Sequence, residues 1–484
     1  MASSFFFYDL ETSGFNPRSA RIMQFAGQRT DANLMPVGEP LNYLIKLTPD
    51  VLPEPDAILV TGITPQQTLA EGLTEAEFLK LFYEQAVQPD TTFLGFNSIR
   101  FDDEFMRFLL YRNFYDAYEW QWKDGCSRWD LLDVVRMTRA LRPDGIEWPY
   151  ATDGKPTNRL EFLTKVNKLS HESVHDALSD VQATIAVAQL IQKKQPELWH
   201  YLATHRDKKT VGALIEGGQP FVYTTGRYSS EFQHTSVAVM LGRRAQQDAA
   251  LVYDLRFDPT PFLKMSPSEL KAAWKYNPDP EAIRLPVKTV KYNRCPTVAP
   301  LGVIKDKASQ ERIGLDLETV GKHLELLKPQ AAEFAQKLAK VVAEMDEEQA
   351  SAQTSLVDNQ LTVDERLYDN FLDDADRNTC RAVIAADPGE LTKIAGSFHD
   401  ERLRNLLPLY KARNYPKSLS DEERQAWDKF VATRLFSGGA ESRLGLYFKR
   451  LEELAAGKLT GQQKYLLEEL TLYGQSIAPV DAAG

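Results

Sequence analysis

The 484-residue sequence has only three cysteines, Cys126, Cys295 and Cys380, far apart and with no C-x-x-C pair. That excludes a disulfide framework and fits a reducing compartment, so a cytoplasmic location is expected. No apolar run approaches the ~18 residues of a membrane-spanning helix, so no membrane segment is expected. The start, MASSFFFYDLETSG, lacks the basic region of a secretory signal. Positive charge is in deficit, with 57 Lys and Arg against 68 Asp and Glu and a formal net charge of −11. This excludes a protein that coats nucleic acid over its whole surface, and still permits a local basic groove. Internal repeats and low-complexity tracts are missing too. What remains is a globular chain with a hydrophobic fraction of 43%, rich enough for packed cores. Its length fits two to four domains.

The stretch FFFYDLETSGFNP, residues 5 to 17, carries two acids out of an aromatic run. A strand alternates its faces with period 2, so Asp9 and Glu11 point the same way. Like charges on one buried face repel and are costly to desolvate. A divalent cation suits such oxygen donors; a solvated surface turn is the alternative. Residues 5–10, 22–29 and 41–47 read as strands joined by turns, an antiparallel meander. A helix follows near 74–87, with Thr74 as N-cap and Glu77 in the capping-box position. A strand at 92–96 and a helix from Asp102 to Arg112 come next. Helical spacing then covers 129–141, 159–167 and 175–195. This order predicts an α/β domain with a mixed sheet over residues 1–196, closed at Pro196. Short β-rich runs between 211 and 304 alternate with Gly and Pro turns and carry a helical insertion, SPSELKAAWKY. They predict a small barrel-like β-domain within 197–350, followed by a helix over 318–347. The polar SAQTSLVDNQ, 351–360, reads as a linker. Helical periodicity beyond it predicts an all-α domain over 351–484.

Three further segments bear on Asp9 and Glu11. GFNSIRFDDEFMRFLLYRNFY places Asp102 and Asp103 near a helix start, where the helix dipole favours acids in any case. HDALSDVQAT places His175 and Asp180 five residues apart, about 7.5 Å of rise and about 140° of turn on a helix. They converge on one site if His175 precedes the helix, Asp176 caps it and Asp180 lies one turn in. RNFYDAYEWQWKDG, 112–125, interleaves aromatic and basic residues as a single-strand nucleic-acid groove does, although Tyr118 and Trp122 equally suit a core.

In order and spacing, the D-x-E strand, the later Asp and H-x-x-x-x-D resemble the DEDDh family of 3′→5′ exonucleases. NSIRFDDEFMRFLLYRNFYDAY, SRWDLLDVVRM, ALRPDGIEWP, RLEFLTKVN and HDALSDVQATIAVAQLI extend the likeness to the bacterial exonuclease I family. The resemblance implies a ribonuclease H-like exonuclease domain, an SH3-like β-domain and a helical C-terminal domain. It implies degradation of single-stranded DNA to 5′-mononucleotides, with a role in DNA repair and recombination. Asp9, Glu11, Asp102 and Asp180 would hold two Mg²⁺ ions, with Mn²⁺ as substitute, and His175 would be the general base. Asp103 is the adjacent alternative, and the resemblance favours Asp102. It further implies DNA contacts at Glu11, Arg107, Tyr118, Trp122, Arg136, Arg159 and Lys208. Arg142, Tyr201 and Arg312 are implied as a pocket for the acidic C-terminal tail of single-strand DNA-binding protein. Nothing in the sequence asks for more than a monomer.

Overall fold

The structure, a computed structural model, describes residues 4–478 except 172–174, 245, 246, 276, 280, 281, 305 and 360, and only the backbone of 352–359. The chain clusters into two compact units. One comprises Met1–Arg128, His171–Gln182 and Gln360–Gly484; the other comprises Trp129–Ser170 and Ala183–Asn359.

The N-terminal sheet consists of strands β1 (Ser4–Thr12), β2 (Ile22–Thr30), β3 (Leu41–Leu44), β4 (Thr91–Gly95) and β5 (Ser127–Asp130), in the order β3-β2-β1-β4-β5, with β1 to β4 in the first unit. β1 and β2 are antiparallel, as are β2 and β3, and β1 runs parallel to β4. The meander and the mixed sheet are as expected. Alternation along β1 does what its sequence suggests. Phe6, Tyr8 and Leu10 enter a core with Phe25, Phe78, Phe82, Phe93 and Trp120, which leaves Asp9 and Glu11 for the other face. Burying each aromatic side chain contributes about 1.5–3 kcal/mol, so the strand is anchored despite its acids.

Short helices α1 (Pro55–Thr61), α2 (Pro65–Glu71) and α3 (Glu75–Leu81) lie between β3 and β4. The Thr74–Glu77 capping box is formed at α3. The helix expected over 74–87 widens into a π turn at Phe82–Ala86, where Phe82 is buried and Tyr83 stacks on Tyr115 at 4.9 Å. After β4 the chain turns sharply into α4 (Asp102–Arg112). A Cβ on Gly95 would come within 2.9 Å of the Tyr8 carbonyl oxygen, so the turn closes against β1 only with glycine there.

The C-terminal helices of this unit include Asp374–Ala385, Glu401–Asn414, Asp421–Phe436, Arg443–Ala455 and Gly461–Ile477. They share two cores with the N-terminal segments. Tyr111 and Phe114 pack with Val383, Leu406 and Tyr410, and Met23 and Ile58 pack with Leu444, Tyr447 and Leu470. The same segments also share a buried ion lattice. Arg413 reaches Asp50 at 2.7 Å and Asp364 at 3.0 Å, and Arg21 reaches Asp364 at 2.7 Å.

The second unit holds α5 (Leu131–Leu141), α6 (Leu160–Val166), most of α7 (Ala177–Lys194), α8 (Pro196–Thr204) and α9 (Lys208–Glu216). Pro196 ends no helix alone; it also opens α8, where a missing N–H costs nothing. The β-rich stretch forms β6 (Phe221–Thr224), β7 (Thr235–Arg244), β8 (Ala249–Asp254), β9 (Val287–Lys291) and β10 (Thr297–Pro300), an antiparallel sheet ordered β10-β6-β7-β8-β9. The expected insertion is the helix Pro267–Trp274. The helix expected over 318–347 is two helices, Leu317–Leu327 and Ala331–Asn359, parted at Pro329.

The linker expected at 351–360 is corrected by that second helix, which continues to Asn359; Gln360 lies outside the described residues. Polarity alone does not end a helix, and residues 351–359 contain neither Gly nor Pro. Among the described residues no helix is long and apolar enough to cross a membrane.

Candidate active site

β1, the start of α4 and the start of α7 bring their acids together in the first unit. Asp9 feels, after burial, the charges of Asp102, Asp180 and Asp176, and its carboxyl is held well above the ordinary range. Glu11 is 7% exposed. Burial first, and then Asp9, Asp180 and Asp176, push its carboxyl up to about 9. Burial raises Asp180 as well, with His171 and His175 pulling the other way. No Lys or Arg among the described residues offsets the charge of Asp9 or Glu11. Glu11, His175 and Asp180 each offer a ligand atom within 4.8 Å of the others. Crowded oxygen donors with one imidazole fit a divalent cation.

The neighbouring acids Asp102 and Asp103 have different surroundings. Asp103 accepts a hydrogen bond from the Tyr8 hydroxyl at 2.5 Å and pairs with Arg128. Asp102 is the acid whose charge acts on Asp9. The geometry therefore turns Asp102 toward the cluster and ties Asp103 into the packing beneath it.

α7 begins at Ala177, with His175 on the preceding loop and Asp180 in the first turn. Asp176 accepts the Ser179 N–H at 3.1 Å, the capping role expected of it. His175 is exposed and has φ of 65°, a left-handed conformation uncommon outside glycine. Sequence reasoning missed His171, whose Nε2 lies 2.6 Å from Asp180 Oδ1. The signal was present, since KLSHESVHDALSD holds two histidines within nine residues of Asp180. It also missed Tyr8 and Arg128, which no spacing rule connects to Asp103.

The implied DNA-binding residues divide between the units. In the first, Arg107 is buried, ion-paired to Glu104 at 2.6 Å, and lies 5.2 Å from the centroid of the Tyr118 ring. Tyr118 is half-buried, and Trp122 is 63% exposed. The tryptophan that packs into the core is Trp120, not Trp122. In the second unit, Arg136 pairs with Asp133 at 2.6 Å, the Arg159 side chain is 73% exposed, and Lys208 pairs with Asp248. Arg142 and Arg312 meet at the end of α5. Arg142 donates to the Leu141 and Val303 carbonyls, and Arg312 donates to the Ala140 carbonyl at 2.8 Å. Tyr201, on α8, stacks on the His205 ring at 4.2 Å. A second group with metal-ligand character, Asp373, Asp376 and His399, is structural. Asp373 caps the helix that starts at Asp374, and Asp376 accepts the N–H groups of His399 and Asp400.

Residues 6–188 match the family model described as Exonuclease, 206–344 the Exonuclease I SH3-like domain, and 361–477 the Exonuclease I C-terminal domain. The chain is 38% identical to exodeoxyribonuclease I of Haemophilus influenzae over 97% of its own length and 98% of that protein. It is 40% identical to exodeoxyribonuclease I of Escherichia coli over 88% of each chain. The chain belongs to the exonuclease I family. As a member it is an enzyme, a nuclease of the exodeoxyribonuclease class. Its architecture is the family's: a ribonuclease H-like exonuclease domain with a mixed sheet, an SH3-like domain and a helical C-terminal domain. Solved structures of exonuclease I, two of them of the E. coli protein, resemble it over 98–99% of this chain and 100% of theirs, at 35% identity. One is a complex with a dA16 oligonucleotide, at a TM-score of 0.91. A second is SSB/Exonuclease I in complex with an inhibitor, at 0.86. A third is a zinc-bound form of a single-stranded DNA complex, at 0.88.

Proposed function

We propose that the protein degrades single-stranded DNA from its 3′ end to 5′-mononucleotides. Asp9, Glu11, Asp102 and Asp180 would hold two Mg²⁺ ions, for which Mn²⁺ can substitute. The observation that carries this reading is the convergence of these acids, with no Lys or Arg among the described residues acting on Asp9 or Glu11. Bound ions would neutralise the phosphate, acidify the attacking water and stabilise the leaving oxygen. His175, exposed beside Glu11 and Asp180, would take the proton from the water whose oxygen attacks phosphorus. The P–O3′ bond then breaks, and the freed terminal nucleotide keeps the phosphate on its 5′ oxygen. An imidazole is the side chain most often used to accept a proton at neutral pH. Glu11 would also meet the terminal nucleotide.

Single-strand preference would come from Tyr118 and Trp122 as stacking faces and from Arg107, Arg136, Arg159 and Lys208 as phosphate partners. The oligonucleotide complexes of the E. coli relative support this substrate. In this reading the functional domains are 1–196, 197–350 and 351–484, and the intervals matched by the family models fall inside them. The setting is DNA repair and recombination in the cytoplasm, by a monomer. Product analysis tests the chemistry. Release of 5′-mononucleotides from a 3′-labelled single strand, stopped by EDTA, is expected. Nucleoside 3′-phosphates, or release starting from the 5′ end, would contradict it.

A partner follows from the same reading. Arg142, Tyr201 and Arg312 would bind the acidic, Phe-ended tail of single-strand DNA-binding protein, and the SSB-containing exonuclease I structure supports this. Arg142→Ala should weaken tail-peptide binding by about tenfold, the worth of one charge-assisted contact, and leave hydrolysis of bare DNA unchanged. Unaltered peptide affinity by fluorescence anisotropy would remove Arg142 from the pocket.

A further inference from the structure

Gln24 lies on β2 directly opposite Glu11 in the β1–β2 register and is 5% exposed. Its amide is used at both ends. Nε2 donates to Asp176 Oδ1 at 3.1 Å and to Asn42 Oδ1 at 3.0 Å, and Oε1 accepts the Ala177 N–H at 3.3 Å. Ala177 is the first residue of α7, and its N–H has no acceptor within the helix. Asp176 is the cap, with its other oxygen on the Ser179 N–H and its carbonyl on the Asp180 N–H at 2.9 Å. One buried amide therefore ties the sheet to both the capping residue and the first helical residue. His175 is one residue before this junction, and Asp180 is in the turn after it.

We infer that Gln24 is a positioning residue for the reaction. It fixes the N-terminus of α7, and with it His175 and Asp180, relative to Glu11, without touching the substrate. The inference rests on the function proposed above. His175 is held at positive φ, a conformation that persists only where its surroundings over-determine it. The Gln24 clamp on the next two residues is a restraint of that kind. An amide is also the group the place demands. A carboxylate at 24 would face Asp176 across about 3 Å and add a like charge beside the acid cluster, whereas an apolar side chain would take the amide's hydrogen bonds from the Ala177 N–H and Asp176 Oδ1. Catalytic groups lose about 10²-fold for an ångström of misplacement, so the expected signature is in turnover.

The test is steady-state hydrolysis of single-stranded DNA by wild type, Gln24→Met, Gln24→Glu, Asp176→Ala and the Gln24→Met/Asp176→Ala double variant, with the Tm of each. Gln24→Met should lower kcat by about 30–100-fold with KM for DNA within about twofold. Gln24→Glu, which keeps the acceptor and loses the donor, should fall at least as far, and it carries the comparison if Gln24→Met does not fold. The double variant should fall no further than the worse single one, because both act through one junction. An unchanged kcat with a lowered Tm would make Gln24 merely structural and overturn the inference. So would a raised KM at constant kcat, or losses that multiply in the double variant. A wild type inactive on single-stranded DNA would defeat the functional reading itself, before any variant is compared.

Discussion

Asp9 and Glu11 hold raised carboxyl groups because burial, and then the charges of neighbouring acids, oppose ionisation: Asp102, Asp180 and Asp176 act on Asp9, and Asp9, Asp180 and Asp176 act on Glu11. The sign of the consequence follows from linkage. The folded state keeps protons that the unfolded chain releases, so this cluster's contribution to stability falls as pH rises from the unfolded carboxyl range, about 4, toward the folded value of about 9 for Glu11. Without metal, Asp9→Asn removes one of the repelling charges and should raise the Tm at pH 8, an effect that fades toward pH 5. Adding Mn²⁺ should raise the Tm of the wild type and leave the variant nearly unmoved; equal shifts in calorimetry would place the metal elsewhere. Tyr118 offers a ring backed by the Arg107 guanidinium. Tyr118→Ala should weaken single-strand binding by about 1–3 kcal/mol, the usual worth of one stacked base, with little sequence preference. Affinity unchanged in a filter-binding titration would assign Tyr118 to packing alone. At this scale the sequence was legible where chemistry repeats with a period. The D-x-E spacing put two acids on one face of β1. Gln24 and the Tyr8–Asp103 bond were illegible because they depend on contacts between residues 153 and 95 positions apart in the chain; His171, only nine residues before Asp180, was within reach of the sequence and was overlooked.

At the scale of elements, β1 to β4, the antiparallel meander and the helices with strong periodicity were readable, and the capping box at Thr74 was placed correctly, whereas β5, which overlaps the stretch read as helical from 129, was not found. α1 and α2 were not, because seven residues give too little periodicity to register. The helix through 351–359 was misread because polarity was taken for a break. The element that matters most to the site is the β4–α4 turn. Gly95 lets it close on β1, and its closure sets where Asp102 begins α4. Gly95→Ala forces a Cβ against backbone and should cost about 1–3 kcal/mol of stability, with turnover falling further than DNA affinity. A variant with wild-type stability and turnover would show that the turn has slack.

At the scale of the whole molecule, the C-terminal helices and the N-terminal sheet of the first unit share buried ions as well as apolar cores. Burial alone would raise Asp50 and Asp364, but Arg413, Arg434 and Arg21 outweigh it and hold both carboxyls below their ordinary range. Their contribution is present above pH about 4, the unfolded value, and is lost as pH falls below it. Arg413→Met leaves these acids short of a partner and should cost about 3–5 kcal/mol in urea unfolding. A loss under about 1 kcal/mol would mean the lattice behaves as a surface pair does. Such a lattice, assembled from segments more than 300 residues apart, has no signature in sequence, whereas the division into an α/β, a β-rich and a helical region does. The central claim is that the acid cluster around Asp9 makes a metal-dependent enzyme that works from the 3′ end of single-stranded DNA. The most direct measurement is a gel time course on 5′- and 3′-labelled single strands, beside duplex DNA and RNA, in Mg²⁺ or EDTA, for wild type and Asp9→Asn. The account predicts that the wild type with Mg²⁺ releases the 3′ label first and shortens the 5′-labelled strand progressively, with duplex and RNA spared and with no cleavage in EDTA or by Asp9→Asn. Full activity of Asp9→Asn, or binding without cleavage by the wild type, would contradict it.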